Sequence, residues 1–426
     1  MVGYRKDAPC GAVLLSAWAL RKICDLKILS LSTLFPNPLQ PRHGIFLRHR
    51  LIHLGRLDGV DLRVVAPVPW FPSAHRAFGR YALYAQVPPE SEQLGLKVTH
   101  PRYPVLPKAG MTIAPLLMAA ALLPRLLAMR RSGFDFDLID SYYLYPDGVA
   151  AALLGLWLGR PVLMTAFGTD VSLVPNYAAP RRQILWAIRR SVAVTAVCQA
   201  LKDKLVDLGA SADKIEVILH GVDQALFTPP ADRAALRLSL GFERPTLISI
   251  GHLIQRKGHD IVIQALAEMP GTDLVIVGDG PEEGALRRQA AGLKLTERVR
   301  FLGHVDQEHL PALLGAADAL VLCSDREGIA NVLMESLACG TPVVASPVWG
   351  SPEVVNVPQA GLLLRDRSAG SLVTALRQLL ANPPDRALTR RYAERFSWSD
   401  TAARHARLVR LAVESASAMR SAATRA

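Results

Sequence analysis

The sequence alternates short apolar segments with helical stretches, and it does so twice along the chain. Residues 26–32 (LKILSLS) form an apolar run bounded by turn residues, which is typical of a buried parallel strand. Similar runs lie at residues 62–66, 138–140, 162–165 and 192–197. Because strands that alternate with helices build a parallel sheet covered on both faces, the first half predicts an α/β domain.

The alternation starts again after Phe227-Thr228-Pro229-Pro230, which we interpret as a linker. Further strands are predicted at residues 246–251, 273–278, 299–302, 319–323 and 342–345, with helices at 260–268, 282–291, 310–316 and 331–338. The pattern predicts two doubly wound domains, residues 1–228 and 229–399. In open α/β sheets ligands bind beyond the carboxyl ends of the strands, so two such domains facing each other would enclose a cleft.

The positive charge of the chain lies entirely in its first half. The formal net charge is +12, and residues 1–200 contain 23 basic and 11 acidic side chains, whereas residues 201–426 contain 26 of each. An excess of this size is compatible with nucleic acid, an anionic membrane or a phosphorylated substrate as partner. Half of the residues are apolar, which excludes a disordered chain.

The cysteines and the apolar stretches indicate in which cellular compartment the chain folds and whether it spans a membrane. The five cysteines are scattered without a Cys-x-x-Cys pair, which argues against a disulfide framework or a structural zinc site and favours a reducing, cytoplasmic setting. The uncharged stretches 8–20, 109–124 and 148–159 are shorter than the roughly 18 residues of a spanning helix. Residues 1–25 are interpreted as an extension, and a signal peptide is the alternative.

The segment from Glu327 to Glu353 (EGIANVLMESLACGTPVVASPVWGSPE) has the highest density of chemical signals. A predicted strand ends just before Gly328, and a helix begins near Asn331. The free N–H groups of a helix amino terminus favour an anion such as a diphosphate. Glu327 before the helix and Glu335 on its second turn are candidates for accepting hydrogen bonds from hydroxyl groups, although isolated glutamates are usually ordinary surface residues.

Three glycine-containing loops follow predicted strands. Arg256 and Lys257, flanked by Gly251 and Gly258, are suited to neutralising a phosphate, or they form a solvated basic turn. Gly44 would let the backbone approach a phosphate closely. The loop at residues 278–284 mimics a dinucleotide fingerprint, but its acidic side chains would repel a pyrophosphate, so we interpret it as a tight turn.

From about residue 26 to the carboxyl terminus the chain resembles the retaining glycosyltransferases of family four, which have the GT-B architecture of two Rossmann-like domains facing a central cleft. The resemblance rests on six blocks in order. The strongest contains Glu327-Gly328, Asn331-Val332, Glu335, Gly340-Thr341-Pro342 and Glu353. The others are Gly168-Thr169-Asp170, Gly221-Val222-Asp223, Arg256-Lys257-Gly258, Gly278-Asp279-Gly280-Pro281, Phe301-Leu302-Gly303 and the His304 that follows.

The resemblance implies roles for these residues. Arg256 and Lys257 would neutralise the diphosphate and its developing charge, and Glu327 would contact the donor sugar. Glu335 would accept hydrogen bonds from the ribose hydroxyls, and Gly44 would approach the phosphates. The remaining implied donor-binding residues are His252, Gly303, His304, Val305, Gly328, Ile329, Ala330, Asn331 and Val332. The family usually needs no metal or other cofactor, and its last helix, here about residues 400–426, typically packs back on the first domain.

The chain departs from the family pattern at three positions. Phe167 stands where a histidine usually precedes Gly168, His252 stands where an arginine usually follows Gly251, and His220 replaces an asparagine before Gly221. Any role of the usual histidine near the donor sugar or acceptor is therefore absent or moved.

Acceptor contacts are predicted in the first domain. Tyr142, Tyr145, Phe167 and Asp170 are cleft candidates, although the tyrosines would equally pack the domain edge and Asp170 would equally cap a helix. The apolar helix predicted at residues 111–131 and the basic helix around residues 181–190 are candidates for docking on anionic lipid, or they are a core helix and a solvated face.

Three functions remain as alternatives. The first is transfer of a sugar from a nucleoside diphosphate sugar to a glycan or lipid-linked acceptor in cell-surface polysaccharide or glycolipid synthesis. The second is a hydrolase that uses Glu327 and Glu335 as an acid–base pair. The third is a non-catalytic protein that binds nucleotide sugar, a membrane or nucleic acid. A nucleic-acid partner is unexpected because residues 201–426 contain equal numbers of basic and acidic side chains.

Overall fold

The computed structural model describes residues 26–106 and 110–425, so the predicted extension lies outside the described residues. The strands are β1 Leu26–Leu31, β2 Val60–Val65, β3 Val68–Pro69, β4 Glu90–Gln93, β5 Leu96–Thr99, β6 Arg102–Tyr103, β7 Leu138–Tyr142, β8 Val162–Ala166, β9 Ala193–Ala196, β10 Ile215–Val217, β11 Thr246–Ile250, β12 Asp273–Val277, β13 Val299–Phe301, β14 Ala319–Leu322, β15 Val343–Ala345 and β16 Gly361–Leu363.

The helices cover both faces of the sheets. They are α1 Ile45–Gly55, α2 Arg80–Gln86, α3 Gly110–Arg131, α4 Val149–Leu158, α5 Thr169–Ser172, α6 Ala178–Arg190, α7 Gln199–Asp207, α8 Arg233–Leu240, α9 His259–Ala267, α10 Glu283–Gly292, α11 Leu310–Ala316, α12 Asn331–Ala338, α13 Ser351–Val354, α14 Ala369–Ala381, α15 Arg386–Ala393 and α16 Trp398–Arg425. Short 3-10 turns include Gln255–Lys257 and Gln307–His309.

Two large sheets organise the chain. The first has the strand order β10-β9-β8-β7-β1-β2-β5-β4, and the second has the order β13-β12-β11-β14-β15-β16. All neighbouring strands are parallel except β4, which pairs antiparallel with β5. The second order is the doubly wound Rossmann arrangement, in which the connections reverse direction between β11 and β14. The predicted α/β GT-B fold with two Rossmann-like units is therefore confirmed.

The sequence accounts locally for these elements. Strands such as β12 (DLVIV) are buried on both faces, which is why they are continuous apolar runs rather than alternating ones. Several helices begin at a side-chain cap: Asp232 accepts from the Ala235 N–H at 2.9 Å, and Asp385 accepts from the Ala387 and Leu388 N–H groups at 2.7 and 3.0 Å. These signals explain why the predicted strand and helix positions agree closely with the structure.

The last helix joins the two halves. Helix α16 begins at Trp398 beside the second unit and packs against α1 of the first. Its His405 is buried against the first sheet, where Nε2 lies 2.8 Å from Oδ2 of Asp140 in the middle of β7. The Tyr142 hydroxyl donates to the same carboxylate oxygen at 2.5 Å, and the Arg50 guanidinium lies 3.2 Å from Nδ1 of His405.

Helix α3 agrees with the apolar helix predicted at residues 111–131 within one residue, and it is longer than the uncharged stretch 109–124 that is too short to span a membrane. Among the described residues it is the one helix long and apolar enough to span a bilayer by length and composition, with 22 residues and a mean hydropathy of 1.8 in its most apolar window. Its Met118, Leu122 and Leu126 are fully buried, so it covers the first sheet as a packed helix. The first two turns of the helix expose Met111, Ile113 and Leu116 by 46%, 38% and 50%.

Candidate active site

A cavity of about 510 Å³ opens between the two sheets, at the carboxyl ends of β1, β11 and β12. Both halves of the chain line it, the first through Arg42, Gly44, Ile45, Phe46, His49 and Gly221-Val222-Asp223. The second half contributes Ile250, Gly251, His252, Val277, Gly278, Asp279, His304, Val305, Gln307, Leu310, Asn331, Glu335 and Trp398. Of the predicted donor-binding residues, the structure thus brings Gly44, His252, His304, Val305, Asn331 and Glu335 to one cleft.

Gly44 occupies a position that only glycine fits easily. Its φ is 62°, and a Cβ there would lie 1.9 Å from the carbonyl oxygen of Leu34. This left-handed residue ends the loop after β1 and precedes α1, so the amino end of α1 borders the cavity. This close approach is to the Leu34 carbonyl, so the approach of Gly44 to a phosphate stays a prediction, and the turn at Gly44 places helical N–H groups beside the cleft.

Two turns of the second unit lie against each other at the cavity wall. A Cβ on Gly278 would be 2.0 Å from the carbonyl oxygen of Gly251, which explains the glycine at position 278. His252 Nδ1 and Asp279 Oδ1 are 3.5 Å apart across the two turns. The loop at residues 278–284 is the tight turn that the sequence predicts, but Gly278 and Asp279 also line the cavity, which the sequence analysis did not expect.

The segment after β13 forms another part of the wall. Gly303 has φ 66° and its carbonyl oxygen accepts from the Gly278 N–H at 2.7 Å, so Gly303 supports the turn and is not among the lining residues. His304 and Val305 follow it and line the cavity. Nε2 of His304 lies 3.1 Å from Oδ1 of Asp306.

Helix α12 carries two cavity residues one turn apart. Asn331 is its first residue, and Glu335 follows on the same face. Burial raises the pKa of the Glu335 carboxyl to about 7, and a hydrogen bond from the Gln307 side chain offsets part of that rise. Ile329 and Ala330, just before the helix, are buried, and neither they nor Val332 line the cavity.

Gly328 forms a contact between the two units. A Cβ at this position would lie 1.7 Å from the carbonyl oxygen of Phe167. The predicted donor-binding glycine therefore touches the backbone of the first unit, at the position where the chain has Phe167 in place of a histidine. The Phe167 ring packs behind the cavity residue Phe46, with ring centroids 5.1 Å apart.

The three predicted catalytic residues form one charged cluster. Lys257 Nζ lies 2.5 Å from Oε1 of Glu327, and Arg256 Nη1 lies 3.5 Å from Oε2. The Ser324 hydroxyl also donates to Glu327, at 2.8 Å. The side chains of Lys257 and Glu327 are 16% and 10% exposed. Lys257 also lies beside Gly251, which places the cluster next to the cavity wall rather than among its lining residues.

The acceptor candidates are less accessible than predicted. Tyr142 is fully buried under the sheet by its contacts with Asp140 and His405, so the expectation that its ring stacks on an acceptor is wrong. Tyr145 is only 6% exposed and also lies outside the cavity lining. Burial raises the pKa of its hydroxyl to about 12.

Asp170 is buried as well, and it acts as a backbone cap. Its carboxylate accepts from the N–H groups of Gly168 at 2.8 Å, Leu144 at 2.9 Å and Phe167 at 3.2 Å. The sequence left open whether Asp170 contacts an acceptor or caps backbone groups, and the structure supports the capping role. By holding Phe167 and Gly168, Asp170 shapes the loop that contacts Gly328.

The sequence analysis missed several cavity residues, including Phe46, His49, Gln307 and Trp398. His49 Nε2 lies 3.1 Å from Oε1 of Gln307, a hydrogen bond between α1 and the second unit. Arg42 and Asp306 are 3.8 Å apart at the same seam. No local pattern distinguishes these residues, because each becomes a site residue only through the contact between the two halves.

Comparison with known proteins agrees with this geometry. Residues 216–396 match the family model described as "Glycosyl transferases group 1", and residues 42–226 match the model described as "Glycosyltransferase Family 4". The two matches overlap at residues 216–226 and together cover residues 42–396, which include every strand of the two large sheets except β1.

Two relatives illustrate the breadth of the similarity. The chain is 27% identical to a putative teichuronic acid biosynthesis glycosyltransferase, TuaC, of Bacillus subtilis, over 82% of this chain and 88% of the relative. It is 32% identical to D-inositol 3-phosphate glycosyltransferase of Jonesia denitrificans, over 65% of this chain and 71% of the relative.

Solved structures share the fold. A sucrose-phosphate synthase from Thermosynechococcus elongatus superposes with a TM-score of 0.72 at 21% identity, covering 90% of this chain and 98% of that one. HepE from Anabaena, in complex with UDP, superposes with a TM-score of 0.69 at 22% identity, covering 90% and 99%.

Proposed function

The chain belongs to the group 1 glycosyltransferases, and from that membership we propose that it moves a sugar from a nucleoside diphosphate sugar to a glycan or lipid-linked acceptor, with retention of the anomeric configuration. The observation that carries the proposal is the cavity between the two Rossmann-like units, bordered by the amino ends of α1 and α12. Relatives named for teichuronic acid and phosphatidylinositol mannoside synthesis support a cell-surface product.

The donor is assigned to the second unit. A nucleoside diphosphate there would have its ribose hydroxyls at Glu335 and its phosphates near the amino end of α12. Lys257 lies beside Gly251 at the strand end, and Arg256 precedes it in the same 3-10 turn. Cations at this place stabilise charge on a leaving diphosphate. The UDP complex of HepE, a protein with the same fold, supports this choice of ligand.

The proposed reaction breaks the bond between the anomeric carbon and the leaving phosphate oxygen and forms a bond to the acceptor oxygen on the same face of the sugar. The leaving phosphate oxygen takes up the acceptor proton. Lys257 and Arg256 supply positive charge in this scheme, so the proposal requires neither a metal ion nor a cofactor. The reaction would take place in the cytoplasm, at the inner face of the membrane.

The hydrolase alternative fits the geometry less well. A general acid must hold a proton near the scissile bond, whereas the Glu327 carboxylate is paired with Lys257 at 2.5 Å and accepts from Ser324. Of the two glutamates only Glu335 lines the cavity. Glu327 and Glu335 therefore do not form a pair of carboxyl groups on either side of a glycosidic bond.

A surface of the first unit supports a lipid-linked acceptor, and the proposal extends to it. We define the α3–α6 surface as the exposed apolar side chains Met111, Ile113 and Leu116 with the exposed Arg181 and Arg182. The two helices are joined there by Gln183, whose Nε2 donates to the Thr112 carbonyl at 2.7 Å. A surface with apolar side chains beside cations is suited to binding an anionic bilayer. Each basic residue near the bilayer contributes about 1 kcal/mol to the binding free energy.

Vesicle flotation tests this surface. Binding to vesicles that contain anionic lipid should fall sharply in the variant Met111→Ser/Ile113→Ser/Leu116→Ser and in Arg181→Glu/Arg182→Glu. Leu238→Ser is the matched apolar control, because Leu238 is 79% exposed on the second unit, and Arg189→Glu/Arg190→Glu is the basic control at the other end of α6. Equal binding by all variants would contradict the proposed docking.

Ligand binding and product analysis test the reaction itself. A thermal-shift screen against nucleoside diphosphates and their sugars should show stabilisation by at least one nucleotide, through ligand linkage. Nucleotide release should then depend on an added acceptor, and NMR of the product should show the anomeric configuration of the donor. Stabilisation by no nucleotide, or acceptor-independent cleavage of a glycoside, would contradict the proposal.

A further inference from the structure

His220 lies at the centre of the contact between the two units. It follows β10, is 4% exposed, and stacks on Phe46 with ring centroids 5.4 Å apart and planes at 19°. The rings of Phe167 and Trp398 are each 5.7 Å away. Its Nδ1 lies 2.9 Å from Oδ1 of Asn331, the first residue of α12 and a cavity residue. A side chain of the first unit thus contacts the donor-site helix directly.

The His220 ring is neutral. Burial lowers its pKa to about 3, and the positive charge of the buried Arg50 adds to this effect. A neutral imidazole carries one proton, so one ring nitrogen donates and the other accepts. Which nitrogen holds the proton decides how the Asn331 amide is turned.

The surroundings favour the proton on Nδ1. Nε2 has no hydrogen-bond partner among the described residues, and it lies in an aromatic environment. A proton on Nε2 would be a buried donor without an acceptor, and it would leave only a lone pair on Nδ1 facing the Oδ1 atom of Asn331. With the proton on Nδ1, the N–H donates to Oδ1 of Asn331 and only a lone pair of Nε2 is left unpaired.

This hydrogen bond determines what Asn331 offers to a ligand. Its Oδ1 is occupied by His220, so the two Nδ2 hydrogens are the groups left for the cavity. They add side-chain donors to the backbone N–H groups at the start of α12, and both kinds of donor favour an anion. The Glu335 carboxylate, one turn further on, favours hydroxyl groups instead.

We propose that His220 is a positioning residue that, as its Nδ1–H tautomer, turns the Asn331 amide so that its N–H₂ group faces the phosphates of a nucleoside diphosphate. The inference rests on the proposed function for the identity of the ligand. It also gives a physical account of a departure from the family pattern, because an asparagine at this position would offer a similarly placed N–H.

Histidine NMR tests the tautomer without any ligand. In protein labelled with ¹⁵N-histidine, the long-range correlation of the ring nitrogens distinguishes Nδ1–H from Nε2–H, and the His220 signal is assigned by its loss in His220→Asn. We expect the neutral Nδ1–H form. An Nε2–H form or an imidazolium would overturn the inference, even if the enzyme were shown to bind nucleotides.

Calorimetry with nucleoside diphosphates tests the consequence. His220→Leu removes the donor and should weaken binding about tenfold, whereas His220→Asn keeps an N–H and should stay within about threefold of wild type. Asn331→Asp still accepts from His220 but presents an acceptor to the phosphates, so its affinity should fall by at least about a hundredfold. Circular dichroism establishes that each variant is folded.

The two proposals fail in distinguishable ways. If the wild type binds no nucleoside diphosphate, the proposed function fails, and the tautomer measurement alone decides the inference about His220. If the wild type binds and a folded His220→Leu binds equally well, the positioning role is wrong and the proposed function stands.

Discussion

The Nζ atom of Lys257 lies 2.5 Å from Oε1 of Glu327, although the two residues are 70 positions apart in the sequence. Both side chains are largely buried, and Arg256 and Ser324 complete the surroundings of the carboxylate. The pair joins the turn after β11 to the segment after β14, at the point where the connections of the second sheet reverse direction. A ligand beyond these strand ends would meet a cluster with a net positive charge.

Replacing Lys257 by Ala should reduce sugar transfer by about a hundredfold or more, because a cation that stabilises the leaving diphosphate is lost. Lys257→Arg keeps the charge and should retain more activity than the Ala variant. Initial rates with saturating acceptor, together with melting temperature, check this. Lys202→Ala is the control, because Lys202 on α7 is remote from the cavity lining. A folded Lys257→Ala variant with the wild-type rate would contradict the assignment.

Nucleotide affinity should rise with pH through about 7, because burial raises the pKa of Glu335 to about 7 and the ionised carboxylate is the better acceptor for ribose hydroxyls. Calorimetric titrations from pH 6 to pH 8 measure this rise. In Glu335→Gln the affinity should be lower and should lose this component of its pH dependence. An identical pH profile in the two proteins would show that Glu335 does not meet the nucleotide.

Ionisation of Glu335 should also lower the free energy of unfolding as the pH rises. Since the pKa of Glu335 is higher in the fold than the usual 4.5, its contribution to stability is fully present below about pH 4.5 and is lost as the pH rises through about 7. Glu335→Gln should therefore match wild type near pH 4 and be more stable at pH 8. Chemical unfolding at the two pH values checks this difference, and a less stable variant at pH 8 would contradict it.

Gly328→Ala should disturb the contact between the two units, because the new Cβ would lie 1.7 Å from the Phe167 carbonyl oxygen. Overpacking of this kind usually costs about 1–3 kcal/mol of the free energy of unfolding. Small-angle scattering should show a larger radius of gyration, and activity should fall. Gly370→Ala is the matched control, since no heavy atom lies within 4 Å of its Cβ position. Equal behaviour of the two variants would rule out the steric explanation.

Tyr142→Phe should reduce stability and leave catalysis intact. The variant loses the hydroxyl that donates to the buried Asp140 carboxylate, which is worth about 1.5–3 kcal/mol for a charged partner. His405→Leu should cost more, about 3–5 kcal/mol, because it removes a partner from the same buried carboxylate. Denaturant unfolding and the kcat of folded protein separate the two effects. A folded Tyr142→Phe variant with wild-type stability and a reduced kcat would contradict this structural role.

Much of the fold could be predicted because its signals are local. The apolar run at residues 273–278 predicts β12 within one residue, and residues 331–338 predict α12 with the observed bounds. Such runs reflect burial on both faces of a strand or a helix beside a sheet, which depends on neighbouring residues. The short strands β3, β4, β5, β6, β10 and β16 were not predicted, since a few partly buried residues carry little pattern.

The site was predicted in part for the same reason. Gly44, His252 and Glu335 follow strand ends or lie on the first turns of a helix, and the topology brings them to one cleft. Tyr142 also lies at a strand end, but its side chain points under the sheet to Asp140 and His405. Which way a strand-end side chain turns depends on what packs against it, here a helix that begins 256 residues later at Trp398.

By itself the sequence determined two α/β units, the loops that follow their strands, and the glycosyltransferase family of the chain. Only the tertiary structure decided that His220 contacts Asn331, that His49 contacts Gln307, and that Gly328 touches Phe167. The physical reason is the range of the interactions. Strand and helix signals arise between residues a few positions apart, whereas these contacts join residues 111 to 258 positions apart and form only where the two units meet.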